Sequence, residues 1–229
     1  HSTMSQQSHD PTKRKVQIAG GATFTVSLPH DWCDRHDLDK GDPLYIYSSP
    51  DRLVIAPSTV DAAANRVRIE TINLSVDRVI QHVKSAYTSG CEEIAIESRQ
   101  EGSTDHIRAV SKTVREMIGV GVSTVDDQTI LVEDRLNPRA ISLDQSIAQM
   151  RQLAIEMQQD AVEAVRTDNK TLAELGHERD QEVDRLFAFV SRGFHRGLVD
   201  INELNKLNMD WKTGFRYYKM ARELERVSD

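Results

Sequence analysis

Residues 178–184 read ERDQEVD, four acids in seven positions, and acids return at 221–229 in ARELERVSD. Asp180 and Asp184 are four apart, as are Glu225 and Asp229. On a helix that spacing stacks two carboxylates on one face, where like charges destabilise the helix unless something offsets them. Each pair also continues an apolar stripe: Trp211, Phe215, Tyr218 and Ala221 lead into Glu225 and Asp229, and Phe187 follows Asp184 by three. Carboxylates in such a place are neutralised, destabilise the fold or hold a cation. Oxygen ligands suit magnesium, manganese or iron. The competing reading pairs these acids with Arg179, Arg185, Arg222 and Arg226 on a solvated surface, at about 0–1 kcal/mol each. Both readings stand open at this point.

Other chemistry is sparse. Glu174 and His177 form one ExxH, the unit that di-iron bundles use twice, and there is no second. His177 shares a face with Asp180 and Asp184 and reads first as a surface histidine. Ser-His-Asp, P-loop and GxGxxG patterns are missing, since GGATF has neither the lysine nor the spacing. The chain is therefore expected not to be an enzyme. Cys33 and Cys91 stand far apart with no CxxC, which argues against a disulfide framework or a thiolate zinc site. With no bilayer-length apolar run and no signal pattern, a cytoplasmic protein without membrane insertion is expected.

A net charge of −7 over 229 residues opposes non-specific attraction to nucleic acid. It leaves room for a local patch, and Lys13, Arg14 and Lys15, joined by Arg35, are the candidates to hold DNA. Over 13–57 six basic residues face six acidic ones.

The elements that must position these residues fall into three segments. HSTM reads as an expression remnant ahead of Met4, within a polar, mobile tail over 1–12. From 13 to 58 the pattern is β: KVQIAG, TFTVSL, PLYIYS and RLVIAP, with one short helix in LPHDWCDRHDL. So small a unit buries little apolar area and needs a partner, most simply a second copy. Residues 66–136 alternate as β-α-β-α-β-β, with Ser75 capping and Gly90 stopping the first helix, and predict a small α+β sandwich with helices on one face. From 140 to 229 the chain reads as three antiparallel helices. The first is seamed by Leu143, Ile147, Met150, Ala154, Met157, Ala161 and Ala164. The second covers about 171–191, with Leu172, Leu175, Val183, Leu186, Phe187 and Val190 inside. RGFHRG is read as a break, and the third helix runs from about Asp200 with Leu204, Leu207, Trp211, Phe215 and Tyr218 inward. That last helix shows no stop signal at Asp229, so the bundle reads as truncated. The expected fold class is multidomain α+β.

RDQEVDRLFAFVSR followed by YKMARELERVSD resembles the PhoU family of phosphate-uptake regulators, which carries E/DxxxD motifs on adjacent helices of a three-helix bundle and binds multivalent metal there. The resemblance places Asp180 and Asp184 in the first motif and Glu225 and Asp229 in the second, with iron, magnesium or manganese as the implied cofactor. KRKVQIAGGATFTVSLPHDW, LDKGDPLYIY and DRLVIAP resemble the SpoVT/AbrB family, a swapped-hairpin β domain that dimerises and commonly binds DNA. Archaeal PhoU-like regulators join these parts in the same order. The resemblance implies a homodimeric, phosphate-responsive transcriptional regulator on operator DNA. The alternative is an adaptor that docks a phosphate-signalling kinase or transporter without DNA. Two departures from the family pattern stand out: one bundle where PhoU proteins usually have two, and Trp32-Cys33-Asp34 in the short helix that is usually basic.

Overall fold

The computed structural model describes residues 13–49, 52–57, 66–97, 103–125, 128–135, 142–200, 203, 204, 207 and 209–229. The chain divides into two compact units, His1–Thr59 and Val60–Asp229. The expected tail over 1–12 and the expected break after residue 136 lie outside the described residues. The architecture is multidomain α+β: antiparallel hairpins, then a mixed sheet with helices, then a helical bundle.

The first unit holds two antiparallel hairpins. β1 (Gln17–Ala19) pairs with β2 (Thr23–Thr25), and β3 (Tyr45–Ser49) pairs with β4 (Arg52–Ala56). Gly20 and Gly21 have positive φ at the first turn, a conformation that glycine adopts without steric cost. Between the hairpins lies α1 (His30–Arg35), entered at Pro29. Neither β1, β2 nor α1 buries a single residue. Val16, Ile18, Phe24, Ile46 and Leu53 are all more exposed than half their surface. These strands have the apolar content of a core without enclosing one.

The second unit opens with the β-α-β-α-β-β order read from the sequence: β5 (Arg66–Glu70), α2 (Val76–Thr88), β6 (Glu93–Glu97), α3 (Ser103–Glu116), β7 (Val120–Val125) and β8 (Thr129–Asp134). The sheet order is β5-β6-β8-β7, with β5 parallel to β6 and the other pairs antiparallel. Ser75 Oγ accepts from Arg78 N at 3.4 Å and Gly90 ends the first helix at φ +91°, as expected. Alternation in β6 and β8 puts Ile94, Ile96, Ile130 and Val132 on one side. There they join Ile69 and the buried stripes of the two helices, Val79, Val83 and Tyr87 on α2 and Val110 and Val114 on α3.

Three long helices follow: α4 (Leu143–Thr167), α5 (Lys170–Val199) and α6 (Trp211–Ser228). Asn169 caps α5 through its side chain on Thr171 N, and Asp210 caps α6 on Thr213 N. Their shared core is Leu143, Ile147 and Met150 from α4, Val183, Leu186, Phe189 and Val190 from α5, and Ala221 from α6. Three expectations need correction. RGFHRG breaks nothing: α5 runs through it to Val199. The third helix begins at Trp211 rather than near Asp200, because the Asp210 side chain closes a new first turn. Phe189 joins the core unexpectedly, Phe187 is half-buried and packs against it, and Leu175, Ala161 and Phe215 are exposed.

Candidate metal centre and basic edge

Asp184 comes from the middle of α5 and Glu225 from the last turn of α6, with Asp229 following directly. One carboxylate oxygen from each lies within 4.8 Å of the other two. Glu225 is half-buried while Asp184 and Asp229 are exposed, so the trio opens to solvent on one side. Asp180 is one helical turn before Asp184 and half-buried, and it stays outside the trio. The structure thus brings together three of the four sequence candidates and keeps the fourth as a neighbouring charge.

Partial desolvation and neighbouring acids together raise two of the three carboxyls. Burial, then Asp180 and Asp229, lift the Asp184 carboxyl above the usual carboxylate range, with Lys84 opposing. Burial, then Asp229 and Asp184, lift Glu225 likewise against Arg222 and Arg226. Three of the four arginines offered as surface partners bond elsewhere. Arg179 bonds Asp160 and approaches Glu156 at 3.6 Å, Arg185 holds Glu182 at 2.8 Å, and Arg226 holds Glu223 at 3.2 Å. A donor set of oxygens alone, with two members pushed toward protonation, fits a hard cation such as magnesium, manganese or iron.

Sequence reasoning missed Lys84. It belongs to α2, a hundred positions before Asp184, and no local pattern links the two. His177 is exposed and its Nε2 lies 3.1 Å from Gln181 Nε2, away from the trio.

In the first unit Lys13, Arg14 and Lys15 lead into β1 and all three are exposed. Arg35 is exposed at the end of α1, with Nε donating to the Asp31 carbonyl at 3.1 Å. His30 Nδ1 lies 2.7 Å from Asp34 Oδ2 on the same helix, so one acid of α1 has a local partner. Exposed cations of this kind can meet a phosphate backbone, which positions a protein on nucleic acid without reading its sequence.

Residues 147–229 match the family model described as the PhoU domain. Residues 17–61 match the one described as antidote-toxin recognition MazE, bacterial antitoxin. No curated protein and no solved structure matches the chain. The first match spans most of α4, all of α5 and α6, and with them the whole carboxylate trio; the second starts at the first residue of β1. The chain carries an N-terminal domain of the MazE/AbrB-like type and a C-terminal PhoU domain, the architecture its motifs resemble.

Proposed function

We propose that this protein is a homodimeric, phosphate-responsive transcriptional regulator. Its N-terminal unit dimerises and holds operator DNA, and its PhoU bundle serves as sensor or docking module. The observation that carries this reading is the pairing, in one chain, of a MazE/AbrB-like domain with a PhoU domain. Two features support it: the hairpins leave Ile18, Phe24, Ile46 and Leu53 exposed, surface that a second copy would cover, and Lys13, Arg14 and Lys15 are free of burial at their edge. Asp184, Glu225 and Asp229 are the residues that would hold a multivalent cation, with Asp180 adding charge beside them. Such a cation would supply charge neutralisation between α5 and α6, and no catalysis is assigned to it.

The test is fluorescence anisotropy with DNA from upstream of the source organism's phosphate-transport genes, repeated over a salt series. Specific binding lost on Lys13→Glu, Arg14→Glu and Lys15→Glu together, with the circular dichroism unchanged, supports the regulator. Equal binding to random DNA at every salt overturns it.

A second reading keeps the dimer and drops the DNA. It rests on the overall charge of −7 and on the even count of six bases and six acids over 13–57. Here the bundle docks a phosphate-signalling kinase or transporter, and co-purification of such a protein on the tagged chain is its test.

A further inference from the structure

The C-terminal end of α2 lacks cations of its own. No basic residue occupies its last turn, although the final carbonyls of a helix have no intrahelical partner and favour positive charge. The turn's own N–H groups reach the Ser85, Ala86 and Tyr87 carbonyls, and α5 adds the cations. Arg192 Nη1 donates to the Tyr87 carbonyl at 3.0 Å and to the Cys91 carbonyl at 2.8 Å. His195 Nδ1 lies 2.9 Å from the Thr88 carbonyl and 2.8 Å from that of Ser191. Both neighbours are acceptors, so this nitrogen carries the proton.

The same segment ties in the sheet. Arg192 reaches Asp134 Oδ2 at 3.3 Å, at the end of β8, while its guanidinium stands 5.0 Å from the Tyr87 ring centre. Arg196 bonds the same Asp134, approaches Glu92 at 3.3 Å beside β6, and holds Glu203 at 2.8 Å. Gly90 lets the chain pass: a Cβ there would stand 2.8 Å from Arg196 Cγ. All three side chains meet the chain over 87–92, the end of α2 and the turn after it, and the two arginines also meet Asp134 at the end of β8.

We infer that Arg192, His195 and Arg196 form a clasp that caps α2 from another helix and makes the α2–β6 corner of the sheet layer conditional on the bundle. The Arg192 side chain is 3% exposed. A buried guanidinium is tolerated only when its donors are matched, and removing it takes a donor from the Tyr87 and Cys91 carbonyls and from Asp134. Gly90 closes the helix end locally, its N–H donating to the Tyr87 carbonyl at 3.0 Å and that of Cys91 to the Ala86 carbonyl at 3.1 Å, and Arg192 and His195 tie this closed end to the bundle. Neither the PhoU match over 147–229 nor the other over 17–61 includes the sheet side of this junction. The clasp would transmit to the sheet layer any shift of α5 along its axis.

Hydrogen–deuterium exchange on the full chain tests this. Arg192→Met keeps the stem and loses the fork; exchange over 85–94 should rise about ten- to a hundredfold, with 147–157 in α4 unchanged. His195→Phe keeps ring packing against Phe194 and Tyr218, and should give a smaller rise confined to 87–91. It stands in should Arg192→Met fail to fold. Arg179→Met removes an α4–α5 ion pair and should leave 85–94 as in the parent. Unchanged exchange at 85–94 in both clasp variants overturns the inference. So does a rise that spreads equally into α4, or one that Arg179→Met reproduces.

Discussion

At Asp184 the balance of charge can be followed group by group. Burial and two neighbouring carboxylates push its proton affinity up and only Lys84 pulls it down. Replacing one of the repelling acids should therefore help the metal-free protein. Asp184→Asn is expected to raise its unfolding free energy by about 0.5 kcal/mol, the scale of a like-charge pair on a helix, measured by urea denaturation in chelator. The same variant should lose the stabilisation that manganese gives the parent, which reaches about 2.7 kcal/mol at a hundredfold excess over the dissociation constant. A parent that manganese leaves unmoved would sink the metal assignment. The pH dependence has a definite sign. Both Asp184 and Glu225 have folded-state pKa values above those of the unfolded chain. From the unfolded carboxylate value of about 4 up to the raised folded value, the folded protein binds the extra proton, so their contribution to stability falls as pH rises through that interval. Above it the penalty is complete. The difference in unfolding free energy between Asp184→Asn and parent should accordingly grow across that interval and then level off; a constant difference would contradict the shifts.

At the scale of elements, α5 carries two glycines whose replacement should act in opposite directions. Gly176 has open space where a Cβ would go, so Gly176→Ala should stabilise by about 0.5–1 kcal/mol through helix propensity alone. A Cβ at Gly197 would lie 2.6 Å from both Cγ and Cδ2 of Leu204, a residue only 2% exposed. Gly197→Ala should therefore cost about 1–3 kcal/mol, the range for overpacking, in spite of the better propensity. Thermal unfolding of the two variants would show whether the close approach decides. This pair also explains what could and could not be read from the chain. β6 and β8 announce themselves by alternation, α2 by Ser75 and Gly90, and the bundle seam by Leu143, Ile147, Met150 and Ala154, because each is a local pattern with one period. RGFHRG carries a local pattern too, but its meaning is set at a distance. Gly197 makes room for Leu204, and Arg192 and Arg196 reach Asp134. Two glycines in six residues read as a stop only while those partners are unseen. The carboxylate pairs were legible for the opposite reason, since a four-residue spacing is itself the geometry. Their meeting across helices followed only from the resemblance to PhoU proteins, and the closure in the structure leaves Asp180 outside.

For the molecule as a whole, the apolar surface of the first unit and its charge make separable demands. Phe24 is 73% exposed and Ile46 61%, too much apolar area for strands that enclose no core of their own. Phe24→Asp or Ile46→Asp should convert a dimer to a monomer in sedimentation equilibrium; a parent that is already monomeric would remove the regulator reading along with the dimer. A dimer presents two copies of Lys13, Arg14 and Lys15, six cations in all. Releasing counterions from six phosphates gives a slope of log affinity against log salt of about −5. One protomer offers half of that, so Phe24→Asp should weaken DNA binding and flatten the salt slope together. Charge reversal at 13–15 should abolish the binding and leave the dimer intact. The two sets of variants thus separate a basic edge that works only when doubled from one that works alone. A monomeric Phe24→Asp chain with the parent's affinity and slope would show that the three cations act without the second copy.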